Sequence, residues 1–475
     1  MVRLEIEQLM LTYSFSDIGS DTLYEHLYKC IKNDIIQGHL AAGEKLPSKR
    51  NFAKNLNIST ITVENAYAQL ISEGYLYTIP KKGYFVSDLS NIVRDVPVIN
   101  SENFTVLTTT TQKYFADFLS NQTNPDNFPF SIWAKLMREI ITERSESLMM
   151  NSPSGGIMEL RLAIAKHLKQ FRNITVSPEQ IIIGAGTEYL YGLLIQLLGH
   201  DKIYAVEDPG YKKIYKIYKS NGVDCVYIPV EKQGIDVTVL EDSNADIVHI
   251  SPSHHFPTGI ITPISRRYEL LGWAAKKDSR YIIEDDYDCE FRLMGKPIPS
   301  LQSIDAMEKV IYMNTFTKSL ASTIRISYMV LPKHLLERFY ATLGFYSCTV
   351  SNFEQYTLAT FINEGYYEKH INRMRNYYRK QRDYLLTCIK NSPLSSLVTI
   401  MEEDSGLHFL MKINTDLSDE ELIHSAMQNG IRISCLSQYY YDSESAPDHI
   451  IIMNYSAIEQ SKIEEAVLRL SKSIH

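Results

Sequence analysis

From about residue 113 onward, short apolar runs alternate with helical stretches, and this alternation leaves the chain few folds to choose from. The runs are IIIGAG at 181–186, KIYAVED at 202–208, DIVHIS at 246–251, RYIIEDD at 280–286 and VIYMNTF at 310–316. Each has the length of a buried strand, and sequences of helical period such as TEYLYGLLIQLL separate them. Strands alternating with helices imply a mainly parallel sheet covered on both faces, so the expected class is α/β. A long helical region at about 333–391 leads to a smaller α+β end. A chain of 475 residues exceeds one ordinary core, so two or three domains are expected. The boundaries expected are 113–332 for a large domain and 333–475 for a small one.

Residues 16–88 read as a separate module. Leu23, Leu27, Cys30, Ile31 and Ile35 recur at helical spacing over 22–37. Ser48 can cap a second helix, KRNFAKNL, and Ser59 a third, TITVENAYAQLISEG, which Gly74 closes. Two short strands, YLYTI and YFVS, follow, joined by Pro-Lys-Lys-Gly. Three helices and a hairpin make a winged helix-turn-helix, whose last helix enters the major groove. There Thr60, Thr62, Glu64 and Asn65 would face bases, since Asn pairs with adenine and Thr touches the thymine methyl. Ser48, Lys49 and Arg50 at the preceding helix start, and Lys81 and Lys82 on the wing tip, suit phosphates. The net charge of −8 does not advertise nucleic-acid binding, but a small head on a long acidic chain can carry its own cations. The competing reading is a helical cap whose charges are merely solvated. Residues 89–112, rich in Asn, Thr and Val, read as a linker or an edge strand.

The composition excludes several classes. The start, MVRLEIEQLMLTYSF, has acidic residues where a signal peptide needs an apolar stretch. No run reaches the roughly 18 apolar residues of a membrane span. The six cysteines are scattered with no CxxC pair, against a zinc site or disulfide framework. A cytoplasmic protein is expected.

Lys318 sits in TFTKSLASTIRISYMVLP, after an apolar strand and among Thr315, Thr317 and Ser319, with Arg325 one helical face later. A lysine is usually a solvated charge. In a partly apolar site its pKa falls and it can condense with an aldehyde, while the hydroxyls and the guanidinium suit a phosphate. In YIIEDDYDCEFR a buried strand runs into Glu284, Asp285, Asp286 and Asp288. Three readings are open: a charged turn, a magnesium site, or a pyridoxal site in which Asp285 pairs with the pyridine nitrogen and Tyr287 bonds the ring hydroxyl. GAGTEYL puts Gly186 and Thr187 at a helix N-terminus after a strand, where backbone N–H groups bind phosphate. EDPGY puts Tyr211 after a strand and a turn, where its ring could stack on a cofactor or simply face solvent.

Two resemblances bring these motifs together. LPSKRNFAKNLNISTITVENAYAQLISEGYLYTIPKKGYFV resembles the signature of GntR-type repressors. PSGGIMELRLAIAKHL, IIIGAGTEYL, EDPGY, SPSHHFPTGIITPISRRYELLGWA, YIIEDDYDCEFR and TFTKSLASTIRISYMVLP, in that order, resemble fold-type I aminotransferases. The combination is similar to the MocR/GabR regulators. The resemblance implies pyridoxal 5′-phosphate with Lys318 as its Schiff-base lysine, Asp285 at the pyridine nitrogen, Tyr287 at the ring hydroxyl and Tyr211 stacked on the ring. It places Gly186, Thr187, Thr315 and Arg325 around the phosphate. It also implies a head-to-tail homodimer on double-stranded DNA.

Several positions depart from that pattern. Thr60 stands where many members carry arginine, Glu64 where many carry arginine or asparagine, and Asn314 replaces a usual glycine. His255 stands for a frequent glutamine, and Lys213 for an arginine near the substrate. Gln438 stands where the GABA-responsive members carry the arginine that grips the effector carboxylate, so a different effector is expected. Lys213 and Gln438 are the candidate effector residues. The function expected is a transcription regulator that senses the cofactor, or an amino compound joined to it, with at most residual half-transamination. The alternative is a working aminotransferase with a DNA-binding head.

Overall fold

A computed structural model describes residues 11–89 and 113–474, except 16–17, 20, 121–123, 294–298, 405 and 443–445. The expected linker, beyond residue 89, lies outside the described residues. Two compact units divide the chain, Met1–Thr110 and Thr111–His475.

The first unit contains helices Leu23–Ile36, Lys49–Leu56 and Thr60–Ser72, followed by the antiparallel hairpin Leu76–Ile79 and Gly83–Val86. Helix starts form where the sequence places caps. Ser48 Oγ accepts from the Asn51 amide at 3.3 Å, and Ser59 Oγ accepts from the Thr62 amide at 3.1 Å. Asn57 adopts a left-handed conformation between the two helices, with φ 55°, which Asn tolerates better than most residues. Leu27, Ile31, Phe52, Val63, Tyr67 and Leu70 form the core. The unit begins earlier than residue 16: Tyr13 donates to Asp34 at 2.6 Å, and its ring meets Phe52 edge-on.

The second unit is built on an eight-stranded sheet. In spatial order the strands are Ile181–Gly184, Ser327–Val330, Val310–Thr315, Tyr281–Asp285, Ile247–Ile250, Ile203–Asp208, Asp224–Glu231 and Gly234–Ile235. The five from Val310–Thr315 to Asp224–Glu231 run parallel. Ser327–Val330 is antiparallel to both its neighbours. Apolar side chains fill both faces, in two clusters around Leu194 and Trp273, as a sheet covered on both sides requires.

The C-terminal part carries a three-stranded antiparallel sheet, Val398–Met401, His408–Ile413 and Ile450–Asn454. It packs with the helices Tyr366–Lys390 and Ile463–Lys472. The break expected at 332/333 is not a break in the core. One apolar cluster runs from Leu160 and Ile164 through Phe361 and Tyr367 to Phe409 and Met453. Residues 113–118 also differ from expectation. They leave the large sheet and pair with the C-terminal lobe, Ala116–Asp117 lying parallel to Ile431–Arg432. Phe115 and Phe118 donate backbone bonds to Gly430 and Arg432 at 2.8 and 2.9 Å. No helix among the described residues is long and apolar enough to cross a membrane.

Candidate functional site

The parallel strands end together, and at their carboxyl ends lies a cavity of about 300 Å³. This is where open α/β sheets hold ligands. Asp285 closes the strand Tyr281–Asp285 and faces the cavity. Its Oδ2 accepts from the Tyr191 hydroxyl at 2.7 Å, with His249 Nε2 at 3.5 Å. Tyr218 fixes the far side of that imidazole through Nδ1, at 2.7 Å. Asp285 Oδ1 is buried and has no partner. A buried carboxylate oxygen left open is costly, and a protonated ring nitrogen would satisfy it.

The next strand, Val310–Thr315, delivers Lys318 to the same cavity through the short helix Phe316–Ser319. Thr315 caps that helix, its Oγ1 accepting from the Thr317 amide at 3.1 Å. Loss of water pulls the Lys318 ammonium down to about 8, against the attraction of Asp288. A substantial fraction of neutral amine is therefore present near pH 7.5, the form that attacks an aldehyde.

Gly186 and Thr187 open the helix Thr187–Leu198 at another wall. A Cβ on Gly186 would lie 2.4 Å from Arg325 Nη2, and φ there is +94°. Only glycine allows the guanidinium to lie against this turn. The helix N-terminus, Arg325 and the Thr315 and Thr317 hydroxyls thus surround one end of the cavity, an arrangement suited to phosphate. Tyr211 forms a wall, half exposed, with Phe256 edge-on at 5.9 Å. Tyr287 also lines the cavity, and burial beside Asp288 pushes its phenol up.

The structure therefore brings Lys318, Asp285, Tyr287, Tyr211, Thr187, Thr315, Arg325 and Lys213 to one cavity, with Gly186 beneath Arg325. Gln438 stands apart from them. It is exposed, and its Oε1 accepts from the Cys435 amide at 3.3 Å, capping its own short helix. Tyr439 lines the cavity in its place. Arg432 is also directed elsewhere, to Asp117 at 3.1 Å.

The magnesium reading of the acidic strand end is set aside by geometry. Glu284 accepts from the Leu301 and Gln302 amides, Asp286 pairs with Arg172, and Asp288 with His254. Among the described residues no three His, Cys, Asp or Glu side chains converge as metal ligands would. Two departures find partners. Asn314 is buried against Tyr312, Glu290 and Cys289. His255 bonds Thr258 at 2.7 Å, and burial drops its pKa to about 3, so it is neutral.

Sequence reasoning missed several residues. Glu188, on the first turn beside Thr187, holds both Lys213 and Arg325. Its hydrogen bond from Lys213 keeps it ionised. Arg172, the last residue of the helix Met158–Arg172, is buried. His254 is buried beside Tyr287.

On the head, Arg50, Thr60, Asn65, Lys81 and Lys82 are exposed and Thr62 partly so. Ser48 is occupied as a cap. Lys49 differs from expectation: Glu64 holds its ammonium at 2.5 Å, which weakens its offer to a phosphate.

Residues 113–470 match the family described as aminotransferase class I and II, and residues 23–86 match the gntR family of bacterial regulatory proteins. The HTH-type transcriptional regulator YdeL of Bacillus subtilis (strain 168) is 38% identical over 454 residues, covering 94% of this chain and 96% of its own length. The probable rhizopine catabolism regulatory protein MocR of Rhizobium meliloti is 30% identical, covering 94% and 92%. Among solved structures, the kynurenine aminotransferase of Pyrococcus horikoshii superposes with TM-score 0.67 at 24% identity, over 77% of this chain and 91% of that one. That likeness concerns the fold.

Proposed function

Because the chain belongs to the MocR-type regulators, in which a gntR-family head precedes an aminotransferase class I and II domain, we propose that it is a DNA-binding transcription regulator that reads pyridoxal 5′-phosphate, or an amino compound joined to it. The observation that carries this is the pairing, across one cavity, of the open buried Asp285 oxygen with the desolvated Lys318 amine. The cofactor supplies an aldehyde that captures amines and a ring that withdraws electrons. Asp285 would hold the ring nitrogen protonated, with Tyr191 and His249 fixing the carboxylate. Arg325, Thr187 and Thr315 would hold the phosphate, Tyr211 would cover the ring, and Lys318 would hold the aldehyde carbon. A ligand can shift DNA binding only by favouring one arrangement of the protein over another. A cytoplasmic homodimer on two operator half-sites completes the reading, and the exposed Met149, Met150 and Phe345 side chains support a partner copy.

The arrangement of cations favours a regulator over a transaminase for dicarboxylic or ω-amino acids. Gln438 turns outward and Glu188 engages Lys213, so neither serves as an open carboxylate receptor. The deciding experiment titrates pyridoxal phosphate and then amino acids into the full-length protein bound to its own upstream DNA. A change in affinity with either supports the reading. Unchanged DNA binding alongside multiple turnovers of amino donor would support the enzyme instead.

Two further outcomes are expected. Glu188→Gln should tighten cofactor binding about tenfold, since an anion beside the phosphate repels it. Equilibrium titration of absorbance checks this, and an unchanged Kd would remove Glu188 from the phosphate end. Arg50→Ala should weaken binding to every DNA sequence and reduce the slope of log K against log salt by about one. Relaxation at a single base position would instead make Arg50 a base reader.

A further inference from the structure

Behind Tyr287 lies a pair that the cofactor reading leaves unused. His254 Nδ1 is 2.8 Å from Asp288 Oδ2, and both residues are more than nine-tenths buried. A carboxylate only accepts, so the nitrogen facing it carries the proton. The same Nδ1 lies 3.3 Å from the Tyr287 hydroxyl oxygen. The one Nδ1–H points chiefly at Asp288 and offers the Tyr287 oxygen at most a longer, shared branch; a protonated nitrogen cannot accept, so the phenol proton is left to point elsewhere. Tyr287 borders the cavity, so elsewhere is the cavity.

The imidazole is fixed by shape as well as by charge. A Cβ on Gly406 would sit 1.8 Å from His254 Cε1, so the ring occupies space that only a glycine leaves. His408 packs on it with centroids 4.9 Å apart. The other groups facing it are Glu402, whose carboxyl burial pushes up, His255 and, through Asp288, Lys318. His408 is kept neutral chiefly by burial. Asp288 is therefore the acceptor that selects the His254 tautomer, as a second partner does for many functional imidazoles.

We propose that His254, oriented by Asp288, is a positioning residue that turns the Tyr287 hydroxyl proton toward the ring oxygen of the bound cofactor. This rests on the pyridoxal reading above. A donor at that oxygen favours its anionic form and so lowers the pH at which the visible band of the Lys318-bound cofactor changes. The test follows that band across pH in the full-length, cofactor-loaded protein. His254→Phe fills the space but removes the N–H. It should raise the spectral transition by about one pH unit, a tenfold change in the proton equilibrium. Tyr287→Phe should raise it at least as far, and the double variant no further than Tyr287→Phe alone. His254→Asn, which returns a donor amide near the Nδ1 position, should recover most of the shift. An unchanged transition in His254→Phe, or additive shifts in the double variant, overturns the proposal. A wild-type protein with no visible band at any cofactor concentration would instead overturn the pyridoxal reading beneath it.

Discussion

Lys318→Ala should abolish the visible absorbance of the cofactor-loaded protein and the mass increase fixed by borohydride, while circular dichroism of the protein stays unchanged. The loss is expected to be complete because, among the described residues, no other lysine shares this setting. Among the described residues that line the cavity, Lys318 carries the desolvated amine near pKa 8, whereas Lys212 and Lys213 stand at the exposed start of a helix. The reacting form is the neutral amine, so in the wild type the rate of colour development should climb with pH and level off above about 8. A residual band in Lys318→Ala, or a rate flat from pH 6 to 9, would falsify the assignment. Arg325 and the helix N-terminus remain in this variant, so pyridoxal phosphate should still bind weakly and reversibly. Fluorescence quenching or dialysis would detect that binding.

Arg172→Met should destabilise the unit 111–475 by about 3–5 kcal/mol, the range for breaking a buried ion pair on one side. Arg172 Nη2 is 2.8 Å from Asp286 Oδ2, with the two side chains 2% and 1% exposed. It also bonds Ser253 Oγ at 3.0 Å, while Tyr312 donates to the same carboxylate at 2.7 Å. Removing the cation leaves Asp286 charged in a dry interior. That residue lies between Asp285 and Tyr287, so the loss should also reduce cofactor affinity. Urea denaturation followed by fluorescence measures the first effect. Much of it should return in Arg172→Met combined with Asp286→Leu, because removing both charges leaves nothing unpaired. A cost below about 1 kcal/mol for the single variant would show that water reaches the pair.

These two variants mark where the sequence was informative and where it was not. Lys318, Asp285, Tyr287, Gly186 and Tyr211 are all readable because each stands at the end of an apolar strand, and parallel strands deliver their ends to one side. Local patterns were enough for the head as well, where the Ser48 and Ser59 side chains cap two helices and Gly74, at φ 81°, follows the end of the third. Arg172 and His254 were not readable. Their partners, Asp286 and Asp288, lie far along the chain, and nothing in KQFRN or SPSHH distinguishes a buried cation or imidazole from a solvated one. Gln438 failed for the opposite reason. Position in a motif suggested a ligand contact, but a three-residue hydrogen bond to Cys435 turns the side chain outward. The head began earlier than expected because Tyr13 and Phe15 pack on it across a stretch that has no helical or strand period.

The two-residue bridge between 116–117 and 431–432 also bears on how the second unit could report its state. Phe118 accepts from Asn454 at 3.1 Å, and Asn454 ends the strand that borders the cavity. The segment that begins at residue 113 is therefore held by the very lobe that supplies Leu407, His408 and Tyr439 to the cavity wall. Whatever tilts that lobe carries residues 115–118 with it.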